Sequence, residues 1–233
     1  MNRAQVLQER LRESVDIATD RQAFFFKTKP GGYAEHDRFL GVKVPTLRLI
    51  AKDFFDLSLN ELQELLDSPF NEERLIALFI LIHGYKKAKG VQKELFYQFY
   101  LRNLQRVNNW NLVDASARDI IGVHLLQEEN RDILLLLVSS ENMWERRVAI
   151  VATWAFIRSG DFEWTLKLAQ ILMNDRHDLI HKATGWMLRE VGERDLEKLV
   201  AFLDLHASKM PRTALRYAIE KFSPDQRAHY LSV

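Results

Sequence analysis

The feature that most constrains the fold is a repeated alternation of two kinds of helical segment. One kind opens with polar or charged residues and continues into small apolar ones, and its members begin at Glu72, Trp110, Glu145, His181 and Pro211. Ordinary amphipathic segments such as FYQFYLRNL and TLKLAQILM lie between them. A helix pair that recurs about every 30–45 residues is typical of an α-solenoid. The sequence therefore predicts an all-α chain of tandem helix pairs, with a globular helical bundle as the alternative.

Local signals at the ends of these segments support long helices and few loops. Residues of helix-capping type stand before several apolar runs, and glycines follow two of them. The predicted starts are Ser58, Asn142, Asp161, Asp178 and Ser223, and the predicted ends are Gly122 and Gly192. With only 9 Gly and 5 Pro and no alternating β-branched pattern, we expect roughly twelve helices, no sheet and one domain over residues 1–233.

Composition excludes several classes of protein. The chain has no cysteine, so disulfides and cysteine-based metal or nucleophile chemistry are excluded. No apolar run reaches the roughly 18–20 residues of a membrane helix. The N-terminal stretch MNRAQVLQERLRESVD is polar and lacks the apolar core of a signal peptide. We therefore expect a cytoplasmic protein that does not contact membranes, is monomeric and needs no obligate protein partner.

The net charge of +1 conceals a segregation of charge along the chain. Residues 21–52 carry seven Lys/Arg against two acids, and residues 83–106 carry six against one, whereas residues 53–73 carry seven acids and no base. Such blocks can place the cations on one surface, which favours a polyanion as partner. A solvated surface laced with salt bridges is the alternative.

Charged residues recur near the starts of the first kind of helix. Their spacings are 40, 33, 35 and 30 residues, and the positions are Arg74, Asp114, Arg147, Lys182 and Arg212. In a solenoid one helix of each pair lines a concave face. Helix N-termini also favour phosphate through unpaired N–H groups and the helix dipole. The spacing therefore predicts that these five side chains open onto one concave groove suited to a nucleic-acid backbone.

Two short motifs combine an indole with a charged residue on one helical face. Trp110 and Asp114 are four residues apart, as are Lys182 and Trp186. Asp114 lies in an apolar run, where a carboxylate needs a partner, and Arg147 is the candidate. A structural ion pair between Asp114 and Arg147 is the alternative to a catalytic role.

Other residues of chemical interest favour ordinary roles. Trp144, Trp154 and Trp164 are predicted to belong to the core. His177 and His181 have i,i+4 spacing, but no third ligand is evident nearby, so no metal site is expected. Nothing in the sequence calls for a cofactor, and Gly31-Gly32 lacks a phosphate-binding pattern and is interpreted as a turn.

Four strings carry a resemblance to a known family: NNWNLVD from Asn108, WERR from Trp144, IHKATGWMLREVG from Ile180 and KMPRTALRYAIEK from Lys209. In this order, from about Phe25 to Lys221, they resemble the DNA alkylation repair proteins of the HEAT-like glycosylase superfamily. The resemblance implies a HEAT/armadillo-like α-solenoid with a concave groove that binds duplex DNA containing alkylated bases. It also implies a monofunctional glycosylase that hydrolyses the N-glycosidic bond of N3- and N7-alkylated purines.

The resemblance assigns roles to individual residues. Asp114 would be the catalytic carboxylate, Arg147 its partner, and Trp110 and Trp186 the indoles that flank the lesion. The expected DNA contacts are Phe25, Lys27, Lys29, Lys43, Arg74, Arg146, Lys182, Arg189, Lys209 and Arg212.

One departure from the family pattern affects the expected activity. The active branch carries a tyrosine on a helix near the N-terminus, whereas the matching place here is Phe24-Phe25-Phe26, with Phe25 as the best match. The following stretch, residues 27–45, is broken by Gly and Pro and supplies cations for a DNA-contacting loop. The alternative function is therefore a non-catalytic HEAT-repeat protein that binds damaged or branched DNA. A protein-interaction solenoid is a second alternative, disfavoured by the presence of Asp114, Trp110 and Arg147 together.

Overall fold

The computed structural model describes residues 2–15 and 19–233, and within them it confirms the predicted all-α class. The only bridge of β type in this part of the chain is an isolated one between Arg38 and Phe70. The chain divides into two compact units, Met1–Ser116 and Ala117–Val233. The solenoid arrangement and the single-domain organisation expected from the sequence stay predictions.

The first unit contains seven α-helices among its described residues. They are α1 (Arg3–Glu13), α2 (Thr19–Phe26), α3 (Val44–Ala51), α4 (Leu59–Leu66), α5 (Asn71–Lys87), α6 (Gly90–Arg102) and α7 (Trp110–Ser116), with 3-10 turns at Lys52–Phe54 and Leu104–Arg106. Helix α5 is the central element, because α3, α4, α6 and α7 all pack against it. The middle of its sequence, residues 75–82, is apolar on every side, as expected of a helix that is surrounded by protein.

The second unit opens with a π-helical turn at Arg118–Gly122. It continues as α8 (Val123–Leu125), α9 (Ile133–Val138), α10 (Met143–Ala152), α11 (Trp154–Arg158), α12 (Glu163–Leu172), α13 (Asp178–Gly192), α14 (Leu196–His206), α15 (Arg212–Ala218) and α16 (Pro224–Ser232), with a 3-10 turn at Ala207–Lys209. Helix α13 is central here, since α10, α12, α14 and α15 pack against it. None of the helices in the described part of the chain combines the length and apolar character that crossing a membrane requires.

Most of the predicted helix starts are confirmed. Ser58 and Ser223 form capping boxes with Glu61 and Gln226, and the side chain of Asn142 accepts from the backbone N–H of Trp144 at 3.0 Å. The predicted cap Asp178 is wrong by one residue. The N-cap of α13 is His177, whose Nδ1 accepts from the N–H of Leu179 at 3.2 Å.

Of the other predicted helix ends, Gly192 is confirmed, whereas Asp161 and Gly122 differ from the prediction. The side chain of Asp161 accepts from the N–H of Glu163, although α12 itself has Phe162 as its N-cap. Gly192 is the last residue of α13, as expected. Gly122, by contrast, does not end a helix, since the π-turn runs through it into α8. A Cβ there would lie 2.2 Å from the carbonyl oxygen of Ala152, so this glycine permits a close approach to α10.

A buried carboxylate network organises the first unit. The Asp37 carboxylate pairs with the guanidinium of Arg74, and its Oδ2 accepts from Nδ2 of Asn71 at 2.9 Å and from Nδ2 of Asn109 at 2.6 Å. All four residues are less than a tenth exposed. The residues before α3 are thereby fastened to α5 and to the start of α7.

A second carboxylate holds the same segment by its backbone. Glu72, buried at the start of α5, accepts from the N–H groups of Leu40 at 3.0 Å and Gly41 at 2.9 Å. The neighbouring Glu73 is equally buried and pairs with Arg12 at 2.9 Å. The acids at the start of α5 therefore point into the protein, whereas the early side chains of this kind of helix were expected to face a groove.

Arg74 does not face an open groove, contrary to the prediction from its position in the sequence. Its guanidinium donates to Asp37 and to the carbonyl oxygen of Ser68, and the residue is 3% exposed. A buried charge requires partners of this kind because it has lost its hydration. Arg74 is a structural cation of the first unit, and a phosphate cannot reach it in this structure.

Removing the Asp37 charge should destabilise the protein strongly. In Asp37→Asn the Arg74 guanidinium stays buried without a counter-charge, which typically costs about 3–5 kcal/mol. The matched control is Asp56→Asn, which breaks an exposed pair with Arg3 and should cost about 1 kcal/mol or less. Urea unfolding of both variants measures the difference. Similar decreases in the free energy of unfolding would contradict the larger contribution of the buried network.

The N-cap of α13 should make stability sensitive to pH. Burial lowers the pKa of His177 below its ordinary value of 6.5, because the protonated ring is disfavoured in the folded state. Only the neutral imidazole can accept from Leu179. The stabilisation from this cap is therefore complete above about pH 6.5 and decreases as the pH falls below it, since the unfolded chain binds the proton more readily.

The test compares the wild type with His177→Asn, because asparagine is a good N-cap that does not titrate. Between about pH 7.5 and about pH 5.5 the melting temperature of the wild type should fall further than that of the variant. Parallel pH profiles for the two proteins would show that His177 does not contribute to the acid sensitivity.

Candidate nucleic-acid interface

Helix α7 presents an indole and a carboxylate on one side. Trp110 and Asp114 are one helical turn apart and both are partly exposed, whereas Leu112 and Val113 are fully buried. Asn109 fixes the start of the helix. Its side-chain Oδ1 accepts from the N–H of Trp110 at 2.7 Å, and its Nδ2 donates to Asp37. The apolar face of the short helix thus locks the orientation in which the other face is presented.

The Trp110 indole belongs to an aromatic stack. Phe26 lies almost parallel to it, with ring centroids 5.1 Å apart, and Phe39 stacks on Phe26 at 4.6 Å. Phe25 meets both Trp110 and Phe26 edge to face, at 5.7 and 5.2 Å, and is 61% exposed. The structure therefore brings two of the predicted site residues, Phe25 and Trp110, into contact.

The segment that follows α2 carries the predicted loop cations. Lys27 directly follows α2 and has a left-handed backbone (φ 57°). Its ammonium lies 5.2 Å from the centre of the Phe24 ring. Gly32 packs so closely on the Lys27 carbonyl that a Cβ would lie 1.8 Å from its oxygen. The side chains of Lys27, Lys29 and Lys43 are exposed.

In the second unit, α10 carries the two arginines of the WERR motif, and both have intramolecular partners. Arg146 binds the Asp175 carboxylate through Nε at 2.6 Å and donates through Nη1 to the carbonyls of Ser140 and Glu141. Arg147 is 5% exposed and donates to the carbonyl of Leu179 at the start of α13. Arg146 therefore braces the turn before α13, and a phosphate would have to displace these acceptors in order to bind it.

Helix α13 carries three more of the predicted site residues. Lys182 forms an ion pair with Asp178 at 2.8 Å and keeps a 40% exposed side chain. Arg189 pairs with Glu220 and is 19% exposed. Trp186 is partly exposed.

A carboxylate that the sequence analysis missed fixes Trp186. Glu190 accepts from the indole N–H of Trp186 at 3.2 Å and from that of Trp154 at 3.0 Å, and Arg194 pairs with it at 2.9 Å. The two indoles meet edge to face, with centroids 5.1 Å apart. The i,i+4 spacing of Trp186 and Glu190 was visible in the sequence, whereas the tertiary contact with Trp154 was not.

The three tryptophans predicted to be core residues have different environments. Trp144 is 7% exposed, as expected. Trp154 and Trp164 are only partly buried, and cations lie over their rings: Arg118 at 4.6 Å from Trp154 and Lys167 at 4.6 Å from Trp164.

The remaining predicted contacts lie near the C-terminus. Lys209, in the 3-10 turn, and Arg212, the first residue of α15, are both exposed, and Arg212 also donates to the carbonyl of Leu231 at 2.6 Å. The exposed cations of the predicted set are therefore Lys27, Lys29, Lys43, Lys209 and Arg212, and Lys182 is partly exposed. Asp114 belongs to the first unit and Arg147 to the second, and their pairing stays a prediction.

The two histidines with i,i+4 spacing serve the start of α13. His177 caps the helix, and Nε2 of His181 lies 2.6 Å from the carbonyl oxygen of Asp175. No group of three or more metal-binding side chains occurs within residues 2–15 and 19–233. Among the described residues, the candidate reactive groups are a carboxylate and an indole on the same side of α7. Exposed cations lie elsewhere.

Comparison with known proteins agrees with the resemblance seen in the motifs. The family model described as "DNA alkylation repair enzyme" matches residues 7–222. A solved structure described as a predicted DNA alkylation repair enzyme from Enterococcus faecalis shares the fold, with a TM-score of 0.69 at 16% identity over 88% of this chain and 95% of that one. No curated protein matches. Since the family model spans both units and all four motifs, the chain belongs to the DNA alkylation repair enzyme family.

Proposed function

We propose that the protein is a monofunctional DNA glycosylase that hydrolyses the N-glycosidic bond of N3- and N7-alkylated purines in duplex DNA. The observation that carries the proposal is that Asp114 and Trp110 lie on the same partly exposed side of α7, in a chain of this family. The two residues are one helical turn apart and both partly exposed, so the carboxylate and the indole can face the same substrate.

The substrate explains why one carboxylate suffices. Alkylation at N3 or N7 makes the purine cationic, so the base leaves with the bond's electron pair as a neutral molecule and needs no general acid. The sugar becomes an oxocarbenium ion, and water adds to C1′ and loses a proton. Asp114 stabilises the developing cation and orients the water. The indole face of Trp110 contacts the cationic sugar and excludes bulk solvent.

The remaining site residues receive supporting roles in the proposal. Trp186, held by Glu190, is the second indole beside the lesion, and Arg147 is assigned the role of orienting Asp114, whereas its burial leaves no access for a backbone phosphate. Phosphates elsewhere contact the exposed cations Lys27, Lys29, Lys43, Lys209 and Arg212 and the partly exposed Lys182. We further propose that the helix pairs stack as HEAT-like repeats, so that one helix of each pair lines a concave groove.

A non-catalytic binder of damaged or branched DNA is the second candidate. Phe25 stands where the active branch has a tyrosine, and its ring packs against Trp110 and Phe26 without a hydroxyl to offer. This candidate predicts DNA binding without release of a base.

Asp114→Asn should separate the two candidates. The amide keeps the shape of the side chain but loses its charge, so base release from N7-methylguanine DNA should slow about 100–1,000-fold while DNA binding persists. The matched control is Asp132→Asn, which removes an exposed carboxylate before α9 and should leave base release unchanged. A folded Asp114→Asn variant with undiminished release would show that the chemistry lies elsewhere. A wild type that binds DNA and releases no base would favour the second candidate.

Binding to duplex DNA should weaken steeply with salt and show little dependence on sequence. Each phosphate contact releases condensed counterions, so Lys27→Gln should reduce the slope of log K against log salt by about one. The matched control is Lys89→Gln at the start of α6, an exposed lysine outside the proposed contacts, which should leave the slope unchanged. Affinities measured at several salt concentrations supply the slopes, and a flat response of the wild type would contradict binding through phosphates.

A further inference from the structure

The first unit contains a cavity of about 400 Å³ that the proposed reaction does not use. It lies among the end of α2, the segment that precedes α3 and the start of α5. Most of its lining is apolar, and its volume falls within the range of small-ligand sites, roughly 300–1,000 Å³.

The walls of the cavity are aromatic. Phe26 and Phe39 line it and stack on each other with their rings 24° from parallel, and the indole of Trp110 backs Phe26. Phe25, which also lines it, is 61% exposed. Stacked rings of this kind give a planar heterocycle a surface on which to stack, whatever its identity.

Polar groups are confined to a few places in the lining. Oε1 of Gln22 is buried and has no hydrogen-bond partner, so an acceptor is unsatisfied in a mostly apolar space. Asn71 and Asn111 satisfy each other, with Nδ2 of Asn111 donating to Oδ1 of Asn71 at 2.7 Å. A ligand that brings an N–H donor on the edge of a planar ring would satisfy Gln22.

The charge around the cavity selects a ligand attached to phosphate. Lys43 lines the cavity, whereas Lys27 and Lys29 line a separate hollow of about 260 Å³ with Phe24. One carboxylate also lines the cavity, but this residue, Glu72, is 3% exposed and accepts from the N–H groups of Leu40 and Gly41. Lys43 is therefore the exposed charged residue of the lining.

We propose that this cavity binds one unpaired nucleobase of a DNA strand, with an adjacent phosphate on Lys43. The base packs against the more exposed rings of the lining, Phe25 and Phe39, and donates from its edge to Gln22. A base paired within a duplex cannot enter, because both its faces and its pairing edge are already occupied. The inference rests on the DNA-binding part of the proposed function and is independent of the reaction at Asp114.

The test uses two unmodified, fluorescently labelled duplexes that are identical except for one extra, unpaired adenine in the second. Fluorescence anisotropy should show that the full-length protein binds the bulged duplex roughly ten-fold more tightly, as expected from stacking of a single base. Equal affinity for the two duplexes would overturn the proposal.

Two variants of α3 link that preference to the cavity. Val44 lines the cavity and is 44% exposed, so Val44→Trp should fill the mouth and bring the affinity ratio to about one, while affinity for the paired duplex is unchanged. The matched control is Leu49→Trp, a 62% exposed position on the same helix outside the lining, which should keep the preference. A preference retained by Val44→Trp would place the unpaired base elsewhere and overturn the proposal.

If a melting curve shows that Val44→Trp does not fold, a second variant and a second readout test the same site. Gln22→Leu removes the unsatisfied acceptor and should reduce the preference several-fold, and an unchanged preference would contradict the assigned hydrogen bond. With 2-aminopurine as the unpaired base, its transfer from the stacked bases of the DNA to the cavity should change its fluorescence, and an unchanged signal would contradict the site. Base release from N7-methylguanine DNA is measured separately, so a protein that prefers the bulge but releases no base would refute the glycosylase and leave this site standing.

Discussion

The buried Asp37 carboxylate is the interaction on which the first unit depends. It joins three segments that are far apart in sequence: the residues before α3, the start of α5 through Arg74 and Asn71, and the start of α7 through Asn109. A buried charge tolerates few alternative arrangements, because each one leaves a charged or polar group without a partner. The network therefore defines where α7 begins and, with it, the direction in which Trp110 and Asp114 are presented. It also holds in place the segment that forms the wall of the cavity.

Polar side chains play a comparable part at the start of α13. Arg146 holds Asp175, the Asp175 carboxylate accepts from the backbone N–H of His177, and His177 caps the helix. At the other end of the same helix Glu190 binds the indole N–H groups of Trp154 and Trp186. An indole held at its nitrogen and against a second ring has little rotational freedom. If Trp186 flanks a lesion as proposed, this restraint spares the complex the entropy of ordering it on binding.

The cations of the chain consequently divide into two groups with different physical roles. Arg74, Arg146 and Arg147 are at most one-fifth exposed and bind carboxylates or carbonyls of the protein. Lysines predominate among the exposed cations of the predicted set. Guanidinium groups suit buried positions because they offer several fixed donors and are weakly hydrated, whereas an ammonium on a flexible stem suits a mobile contact with phosphate. The proposed DNA surface therefore relies on fewer arginines than the motifs suggested, and more on the lysines near α2.

By itself the sequence determined the helical class, the helix starts at Ser58 and Ser223, and the family to which the chain belongs. These follow from local spacing, from side-chain-to-backbone bonds within a few residues, and from motifs that can be read in order. Only the tertiary structure decided which charged residues are buried, because Asp37 and Arg74 are 37 residues apart and nothing local marks them as partners. The same holds for the stacking of Phe26 on Trp110, for the sharing of Glu190 by two indoles, and for the cavity beside Val44. Each depends on which faces meet when helices pack, and a helical period specifies a face without specifying its neighbour.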